Sequence, residues 1–452
     1  MDKKEIIAWL KESKHRKIKV AVTDMDGVLR GKFMHVEKLI SALESGFGFC
    51  SVVFGWDMCD LAYDNTKMVG WHMGYGDFDA QLDLSSFRTI PWEEGTPFLL
   101  ADFSSEKVEN LPICPRSLLK NSIAKAENMG YSPMFSQEFE WFNFKETSSS
   151  LEGKNYQAPL ALTPGMFGYS VLRMSENKDF FHALFDQLEG FGVPLEGLHT
   201  ETGPGVTEAA IQYSDILEAA DRAVLFKTGV QEIAKKHNIV ASFMAKQTNK
   251  LPGNGGHIHQ SLWDLKKTKN LFYDGTSKDR MSGVMKSFLA GQLHCLPEIL
   301  PMFAPTINSY KRLVEGAWAP TTLTWGFDNR TCALRVLTPG QKSTRIEHRV
   351  VGSDVNPYLA MAACLASGLY GIEHNLKLDV PATTGNGYRN MTNGVLPSNL
   401  LDASNKMKAS HIAYELFGEA FVDHFTCTRE WEWKQFSAAV TDWEIKRYFE
   451  II

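Results

Sequence analysis

The sequence lacks the cysteine pattern and the leader of a secreted protein. Its 452 residues include seven cysteines, and no two of them form a C-x-x-C pair. An odd, scattered set of cysteines in a chain of this length indicates reduced thiols and a cytoplasmic location. The N-terminal stretch MDKKEIIAWLKESKHRK is charged and amphipathic, and it has no apolar core of the kind that a signal peptide needs.

Long apolar runs, an excess of basic charge and the common phosphate loop are missing as well. The most apolar run, roughly residues 358–372, is too short and too interrupted by Ser and Gly for a membrane span, so we expect a buried helix there. Lys and Arg total 47 against 53 Asp and Glu, and the net charge of −6 gives no reason to expect nucleic acid or an anionic membrane as a partner. No G-x-x-x-x-G-K-[ST] motif occurs, so a nucleotide site would not be a P-loop.

The chain has the composition of a globular protein, with 44% hydrophobic and 22% charged residues. The region up to about residue 105 predicts a small α+β domain. It has a helix over 3–14, two strands around a turn at Asp26-Gly27, and strand-like runs SVVFGW and TPFLLADF. A loop over 104–115 marks the expected boundary between a domain of residues 1–110 and one of residues 111–452.

The second region alternates helical and strand-like segments. The first predicted helix begins at Pro115 and ends before Gly130. Further helices are predicted over 176–191, 214–238, about 280–297 and the C-terminal stretch EWEWKQFSAAVTDWEIKRYFE. The stretch PLEGLHTETGPGVTEAAIQY predicts two strands joined by a tight turn, and TTLTWGFDNRTCALRV, 321–336, predicts a second hairpin.

The segment GNGGHIHQSLWD, residues 253–264, carries the most informative pattern. His257, His259 and Ser261 alternate behind a run of glycines, and alternate side chains of a strand share one face. Two imidazoles and a hydroxyl on one face suit a metal ion or a phosphate. The alternative is a chance H-x-H in a chain with 13 histidines.

Other strands repeat this arrangement with acids and arginines. The residues that share strand faces are Glu138 with Glu140, Glu201 with Glu208, Arg330 with Arg335, and Arg345 with Glu347 and Arg349. Each set alone is also compatible with the exposed face of an antiparallel sheet. Because isolated charges are rarely buried without partners, several such faces are expected to meet inside an open antiparallel barrel.

The residue types in this set favour one kind of chemistry. Glu and His without thiolates favour hard divalent ions, Mg²⁺ or Mn²⁺. Converging arginines favour phosphate and carboxylate ligands, which they grip with two hydrogen bonds. Together they describe metal-dependent phosphoryl transfer, with ATP the expected donor, and they leave the acceptor open.

Six ordered motifs resemble the glutamine synthetase family. They are E-F-E, T-E-T-G-P-G-x-x-E, G-x-x-H-I-H-Q-S-L, N-S-Y-K-R-L, D-N-R-T-x-x-L-R and R-I-E-x-R followed by N-P-Y-L, and they are most specific from Glu138 to Leu359. The resemblance implies an α+β fold, with an N-terminal β-grasp domain and a large catalytic domain built on an antiparallel open barrel surrounded by helices. It also implies a homo-oligomer of stacked rings, a dodecamer, with each active site between neighbouring subunits.

The resemblance assigns roles to residues that match the motifs. The implied ligands of the metal nearer glutamate are Glu140, Glu201 and Glu208, and those of the metal at the nucleotide phosphates are Glu138, His257 and Glu347. The implied ATP site consists of Glu196, His259, Ser261, Lys342, Arg335 and Arg345. Glutamate and its reacting carboxylate would be held by Arg312 and Arg349, with Arg330 beside the transferred phosphoryl group and Gly255 near the amino acid end. The implied reaction joins glutamate to an amine through γ-glutamyl phosphate, with two or more Mg²⁺ or Mn²⁺ ions per site.

The sequence departs from the family at the flap after N-S-Y-K-R-L. Family members read V-P-G-Y-E-A-P, and this chain reads V-E-G-A-W-A-P, so Trp318 replaces the catalytic Glu, Ala317 the Tyr and Glu315 the Pro. Trp offers no base and no anion to an ammonium ion, but it offers an aromatic face to an alkylammonium. We therefore expect a larger amine of the polyamine, methylamine or ethanolamine type as acceptor. The alternative is ammonia, with Glu315 as the base.

Smaller departures and other classes stay open at this point. The glycine loop before His257 is shorter than in typical members, so Asn254 and Gly255 match only approximately. FGWDMCD replaces the family's N-terminal ammonium-site loop, where Asp57 or Asp60 would serve a neighbouring subunit. Tyr169 would line the acceptor pocket or belong to the core. A non-catalytic member of the family, a guanidino kinase and an ATP-binding regulator are the competing classes.

Overall fold

Two sheets with helices packed on them form the part of the chain that the computed structural model describes, residues 2–103 and 111–452. Most of the expected boundary loop, 104–110, lies outside the described residues. The strands are β1 Lys17–Thr23, β2 Leu29–His35, β3 Phe47–Cys50, β4 Asp77–Leu82, β5 Arg88–Ile90, β6 Thr96–Phe103, β7 Tyr131–Phe144, β8 Leu195–Thr200, β9 Val206–Ile211, β10 Ser214–Asp215, β11 Val240–Ser242, β12 Ile258–Asp264, β13 Trp325–Phe327, β14 Leu334–Leu337 and β15 Arg345–His348.

The helices pack on the outside of these sheets. They are α1 Lys3–Glu12, α2 Val36–Ser45, α3 Pro115–Asn128, α4 Ser148–Gly153, α5 Val171–Glu176, α6 Lys178–Gly190, α7 Ile216–Lys236, α8 Gly283–Cys295, α9 Ile307–Arg312, α10 Pro357–Glu373, α11 Leu400–Ala409, α12 His411–Phe417, α13 Glu419–Ala438 and α14 Asp442–Tyr448. α10, the expected buried helix, is almost entirely enclosed. Among the described residues no helix is long and apolar enough to cross a membrane. All seven cysteines are unpaired, as expected.

The N-terminal sheet has six strands in the order β2-β1-β6-β4-β3, with β5 beside β6. Its two central strands, β1 and β6, run parallel, and the other pairs are antiparallel. Residues Asp26 and Gly27 form the turn between β1 and β2, and Gly27 has a φ of 83°, which favours glycine. This arrangement, with α2 packed on the sheet, is the β-grasp expected here.

The second sheet has nine strands in the order β13-β14-β15-β12-β7-β9-β8, with β10 and β11 on β7. The long strand β7 pairs antiparallel with β12 on one side and β9 on the other, so it is a central strand of the sheet. Its apolar face, with Phe135, Phe139 and Trp141, is completely buried against α7 and its neighbours. Its acidic face is therefore the one left for the site.

Buried charged residues connect β6 of the N-terminal sheet to helices α3 and α7 of the second region. Arg116 of α3 is 2% exposed and donates to Asp102 of β6 and, through two nitrogens, to Asp221 of α7. Tyr358 of α10 donates to the same Asp221 carboxylate at 2.6 Å. Each charge in this cluster has a partner, as burial requires.

Three local expectations were wrong. SVVFGW contains a 3₁₀ turn over Ser51–Phe54 instead of a strand, and the Gly55 N–H donates to the Val52 carbonyl oxygen at 2.7 Å at its end. The segment 321–336 is not a hairpin: β13 and β14 pair in parallel. The loop between them is held by Asn329, whose side-chain oxygen accepts from the Thr331 N–H and hydroxyl, and it returns the chain to run in the same direction.

The expected helix over 176–191 is present as α6, within two residues of the expected bounds, and the short helix α5 precedes it. The third correction is a helix break. The C-terminal helix is interrupted after Ala438, because Thr441 and Glu444 form a capping box that begins α14.

Candidate active site

The strand register places the predicted site residues in two rows on one face of the second sheet. In the first row Arg335 lies opposite Glu347, and Glu347 lies opposite His259. In the second row Glu140 lies opposite Glu208, and Glu208 lies opposite His199. Directly opposed residues on neighbouring strands have side chains about 5 Å apart, so each row is a continuous polar strip.

The first row contains a cluster of two histidines and two acids. His257 Nδ1 lies 2.7 Å from Glu138 Oε1 and 3.5 Å from Glu347 Oε1. His259 Nε2 lies 3.2 Å from Glu138 Oε2. Ligand atoms of Glu138, His259 and Glu347 lie within 4.8 Å of one another. Both histidines of the H-x-H segment therefore reach the acidic cluster.

Arginines surround the acid at the centre of this cluster. Glu347 is completely buried, and Arg335 Nη1 lies 2.7 Å from its Oε2 while Arg349 contacts its Oε1. Burial alone would raise the pKa of Glu347, but Arg349 and the two histidines bring it down to about 2. Burial lowers the pKa of His257, with the Arg349 charge adding to the effect, so His257 is neutral and Glu347 is charged at pH 7.

The second row contains an uncompensated cluster of carboxylates. Glu201 and Glu208 lie beside His199, with ligand atoms of the three residues within 4.8 Å of one another. Burial raises the pKa of Glu208 to about 10, and the charges of Glu138, Glu140 and other nearby acids add to the rise. The protein's own cations do not balance the negative charge here.

The glycine loop approaches the site closely. The Gly255 N–H donates to Glu140 Oε2 at 2.7 Å. A Cβ at Gly255 would lie 2.6 Å from His257 Nε2 and 3.2 Å from an Arg312 nitrogen, so a side chain there would displace the His257 ring. Arg312 is buried and donates to the backbone oxygens of Val350 at 2.9 Å and Arg349 at 3.2 Å.

A cavity of about 490 Å³ opens over the first row. Its walls include all six residues expected to form the ATP site: Glu196, His259, Ser261, Lys342, Arg335 and Arg345. Arg330 and Tyr169 line the same cavity, and so do Glu138 and Glu208. Arg345 Nε lies 3.1 Å from His259 Nδ1, which joins the wall of the cavity to the histidine strand. The cavity is therefore cationic and polar beside the acidic clusters.

The flap lies near Arg312 and Arg349, the two arginines expected to hold glutamate. Trp318 is 57% exposed and has a left-handed φ of 59°, and Glu315 lies 3.8 Å from Arg389 Nε. Burial raises the pKa of the neighbouring Tyr388, and the guanidinium groups of Arg349 and Arg312 oppose the rise. Tyr388 is thus close enough to Arg349 and Arg312 for their charges to affect its pKa, and it directly precedes Arg389, the partner of Glu315.

The structure distinguishes between the two N-terminal acids. Asp57 is buried, and its carboxylate accepts hydrogen bonds from the N–H groups of Cys59 and Leu61 and from Trp431 Nε1. Asp60 is exposed and pairs with Arg30 at 2.6 Å. Of the two, only Asp60 has an exposed carboxylate, with its side chain 57% exposed.

Sequence reasoning did not single out two residues at the site. His199 belongs to the second cluster, and its signal was its position two residues before Glu201, which places both on the same strand face. Asp328 accepts from Arg335 Nε at 2.9 Å and holds that guanidinium beside Glu347. Asp328 has a φ of 47° in a turn that the sequence did not reveal.

Two acid and histidine clusters beside an arginine-lined cavity are the arrangement expected of a metal-dependent enzyme that handles phosphate. The family model for the glutamine synthetase catalytic domain matches residues 112–448. The chain is 53% identical over 450 residues to type-1 glutamine synthetase 2 of Dictyostelium discoideum, covering 99% of this chain and 86% of that protein.

Two further relatives carry the names of amine ligases. A glutamate–isopropylamine ligase of Pseudomonas sp is 36% identical over 438 residues, covering 96% of this chain and 95% of that protein. A gamma-glutamylethanolamide synthetase of Streptomyces coelicolor is 38% identical over 432 residues, covering 95% and 92%. A solved GmaS/ADP complex superposes with a TM-score of 0.85 at 27% identity, covering 98% of this chain and 99% of that one.

The chain belongs to the glutamine synthetase family, whose members are ATP-dependent ligases that join glutamate to ammonia or an amine. The α+β fold class expected from the motifs is confirmed by the superposition.

Proposed function

We propose that this protein joins glutamate to an amine larger than ammonia, through γ-glutamyl phosphate, at the expense of ATP. The observation that carries the choice of acceptor is Trp318, which stands where family members have the catalytic Glu. The relatives named for isopropylamine and ethanolamide products support the same class of acceptor.

The acid clusters fit divalent metal ions. Five carboxylates, Glu138, Glu140, Glu201, Glu208 and Glu347, face one small volume. Burial raises the pKa of Glu208 to about 10, and repulsion from the other four carboxylates adds to the rise. We assign one ion to Glu140, Glu201 and Glu208 and another to Glu138, His257 and Glu347. Such ions would supply positive charge beside the ATP phosphates and the glutamate γ-carboxylate.

The cavity residues suit ATP as substrate. We assign Glu196, His259, Ser261, Lys342, Arg335 and Arg345 to its binding. Arg330, at the edge of the cavity beside Glu138 and Glu208, is placed to stabilise the migrating phosphoryl group as an oxygen of glutamate's γ-carboxylate displaces ADP. Arg312 and Arg349 would hold the glutamate. The enclosed site would keep water from the acyl phosphate.

The bound alkylammonium would lose one proton to solvent, and its amine nitrogen would then attack the γ-carbonyl carbon. The bond from this carbon to the phosphate oxygen breaks, and phosphate leaves with the second proton. An indole face binds an alkylammonium by a cation–π interaction worth about 0.5–2 kcal/mol and covers its carbon chain. Glu315 is a poor substitute for the missing Glu, because its carboxylate lies 3.8 Å from Arg389 and a guanidinium competes with any ammonium there.

The second candidate acceptor is ammonia. It is favoured by the Dictyostelium relative, which is 53% identical and carries the name glutamine synthetase. In this case Glu315 would leave Arg389 and act as the base. A non-catalytic role is disfavoured, because all six expected metal-ligand positions carry acids or histidine.

A panel of acceptors tests the proposal. ADP release is measured with ATP, glutamate and Mg²⁺ or Mn²⁺ while ammonium, methylamine, ethanolamine, isopropylamine or a polyamine is varied. We expect the highest kcat/KM with one of the organic amines. A wide advantage for ammonium would instead establish a glutamine synthetase.

We also propose a ring-shaped homo-oligomer of the dodecameric kind, with Asp60 of one subunit at the site of the next. The division into domains at residues 110 and 111, and a cytoplasmic location in keeping with seven unpaired cysteines, belong to the same proposal.

A further inference from the structure

His199 has the surroundings of a metal ligand, although no motif assigned it a role. Its side chain is 22% exposed, and it lies between Glu201, 20% exposed, and Glu208, 17% exposed. Nε2 lies 3.9 Å from Glu208 Oε1, and Nδ1 lies 3.9 Å from Glu201 Oε2. Two ligand atoms on one Mg²⁺ ion are at most about 4.2 Å apart, twice the metal–oxygen distance, so the spacing between Nε2 and Glu208 fits a shared ion. One ligand atom from each of the three residues lies within 4.8 Å of the other two.

The sheet register places His199 in line with the other ligands of this cluster. His199 lies directly opposite Glu208 on β9, and Glu208 lies directly opposite Glu140 on β7. The three side chains therefore leave the sheet on the same face and in adjacent positions. Glu201, two residues after His199, approaches from the end of β8.

The backbone around His199 fixes which ring nitrogen is free to bind a metal ion. Nδ1 lies 3.1 Å from the carbonyl oxygen of Thr200, which can only accept, so the proton of the neutral ring is on Nδ1. Nε2, the nitrogen that faces Glu208, then carries a free lone pair. A carbonyl on one ring nitrogen is the usual way in which proteins orient a histidine toward a metal.

An aromatic ring holds the imidazole in place. Tyr169 stacks on His199 with ring centroids 4.2 Å apart and planes inclined by 27°. Tyr169 has a left-handed φ of 54°, and its N–H donates to the same Thr200 oxygen at 2.6 Å. The loop before α5 is thus fastened to β8, and it presses the tyrosine against one face of the ring.

We propose that His199 is a direct ligand of the metal ion that Glu140, Glu201 and Glu208 hold, with Tyr169 as its positioning residue. The inference rests on the proposed function for the metal itself, and it adds an imidazole to a set of carboxylates. Imidazole favours Mn²⁺ over Mg²⁺, so the ligand set predicts that this site prefers Mn²⁺.

The test uses Mn²⁺ alone and the full-length protein stripped with EDTA. Bound Mn²⁺ is counted from the electron paramagnetic resonance signal of the free ion, and ¹⁴N hyperfine coupling in pulsed spectra reports imidazole bound to it. The variant is His199→Gln. His182→Gln, an exposed histidine on α6, is the matched control.

We expect His199→Gln to weaken one class of Mn²⁺ site by at least about tenfold, because even outer partners of a ligand contribute that much. One of the imidazole couplings should disappear, and the preference for Mn²⁺ over Mg²⁺ at that site should fall. Tyr169→Ala should weaken the same site less, and His182→Gln should match the wild type. If His199→Gln does not fold, loss of Mn²⁺ affinity in Tyr169→Ala provides the test.

The result that overturns the inference is a folded His199→Gln protein, or a folded Tyr169→Ala protein where the first does not fold, with wild-type Mn²⁺ affinity and couplings. The proposed function is judged separately by amine-dependent ADP release from the wild type. Amine ligation with a His199-independent metal site would reject the inference alone. A His199-dependent Mn²⁺ site in a protein that ligates no amine would reject the proposed function alone.

Discussion

At the scale of single residues, the proposed preference for an organic amine depends on Trp318. Trp318→Glu restores an anion at the position where family members have one, so use of ammonium should improve, by about tenfold in kcat/KM, while use of an alkylamine falls. The measurement is ADP release with each acceptor. Trp318→Phe keeps an aromatic face and serves as the control that should retain the amine preference.

Glu208 illustrates the conflict between stability and metal binding. With an ordinary glutamate pKa of about 4.3 in the unfolded chain and about 10 in the folded one, the folded metal-free protein binds more protons at neutral pH. Its stability therefore falls as pH rises from about 4 to 10. Glu208→Gln removes this cost and should raise the melting temperature of the EDTA-treated protein at pH 7.5.

The same substitution removes a carboxylate from the cluster to which we assign a metal ion. Mg²⁺ should therefore raise the melting temperature of Glu208→Gln less than that of the wild type. The interpretation fails if the metal-free variant melts at a lower temperature than the wild type and still gains the full stabilisation from Mg²⁺. Thermal unfolding at two pH values, with and without Mg²⁺, provides all the comparisons.

Most of the candidate site was predictable from the sequence because its residues occupy alternate positions along strands. Glu138 and Glu140, or His257 and His259, must share a face once their segments are strands. His199 and Asp328 were missed for different reasons. His199 followed the same rule but lay outside a recognised motif, whereas Asp328 depends on a turn whose shape only the fold reveals.

At the scale of helices and strands, sequence patterns predicted the long elements and failed at short ones. α10 and β7 were expected because their burial leaves a continuous signal. The parallel pair β13 and β14 was mistaken for a hairpin, since a short connection between two short strands normally makes an antiparallel pair. That error does not displace Arg335, because register with β15 fixes its position opposite Glu347.

Helix α13 carries a buried histidine that limits stability in acid. Burial lowers the pKa of His424 to about 4, below the value of about 6.5 expected in the unfolded chain. The unfolded chain therefore binds more protons between pH 4 and 6.5, and stability contributed by neutral His424 is lost as pH falls through that window. The loss approaches about 3 kcal/mol per subunit at pH 4.

His424→Gln should flatten this dependence. The melting temperature of the variant should fall less than that of the wild type between pH 6.5 and pH 4.5. His182→Gln, with its exposed imidazole, should follow the wild-type curve. If the melting temperatures of wild type and His424→Gln fall in parallel as pH decreases, groups other than His424 cause the loss of stability in acid.

At the scale of the whole molecule, the proposed ring-shaped oligomer would bring Asp60 of one subunit to the active site of the next. Asp60→Ala and Glu201→Gln subunits should each be nearly inactive alone. When equal amounts are dissociated and reassembled together, a quarter of the interfaces pair an intact Glu201 with an intact Asp60, so activity should return to about a quarter of the wild-type value. Mixed subunits without any recovery would place both residues in the same subunit's site.

The central claim, that an organic amine is the preferred acceptor, is tested most directly by competition in one reaction. The wild-type protein is supplied with ATP, Mg²⁺ and glutamate together with equal concentrations of ammonium and one alkylamine that the panel selects, and mass spectrometry measures the ratio of the two amide products. We predict that the γ-glutamyl alkylamide exceeds glutamine by about tenfold or more, the factor that 1.4 kcal/mol of extra binding on Trp318 provides. Glutamine as the main product would contradict the account.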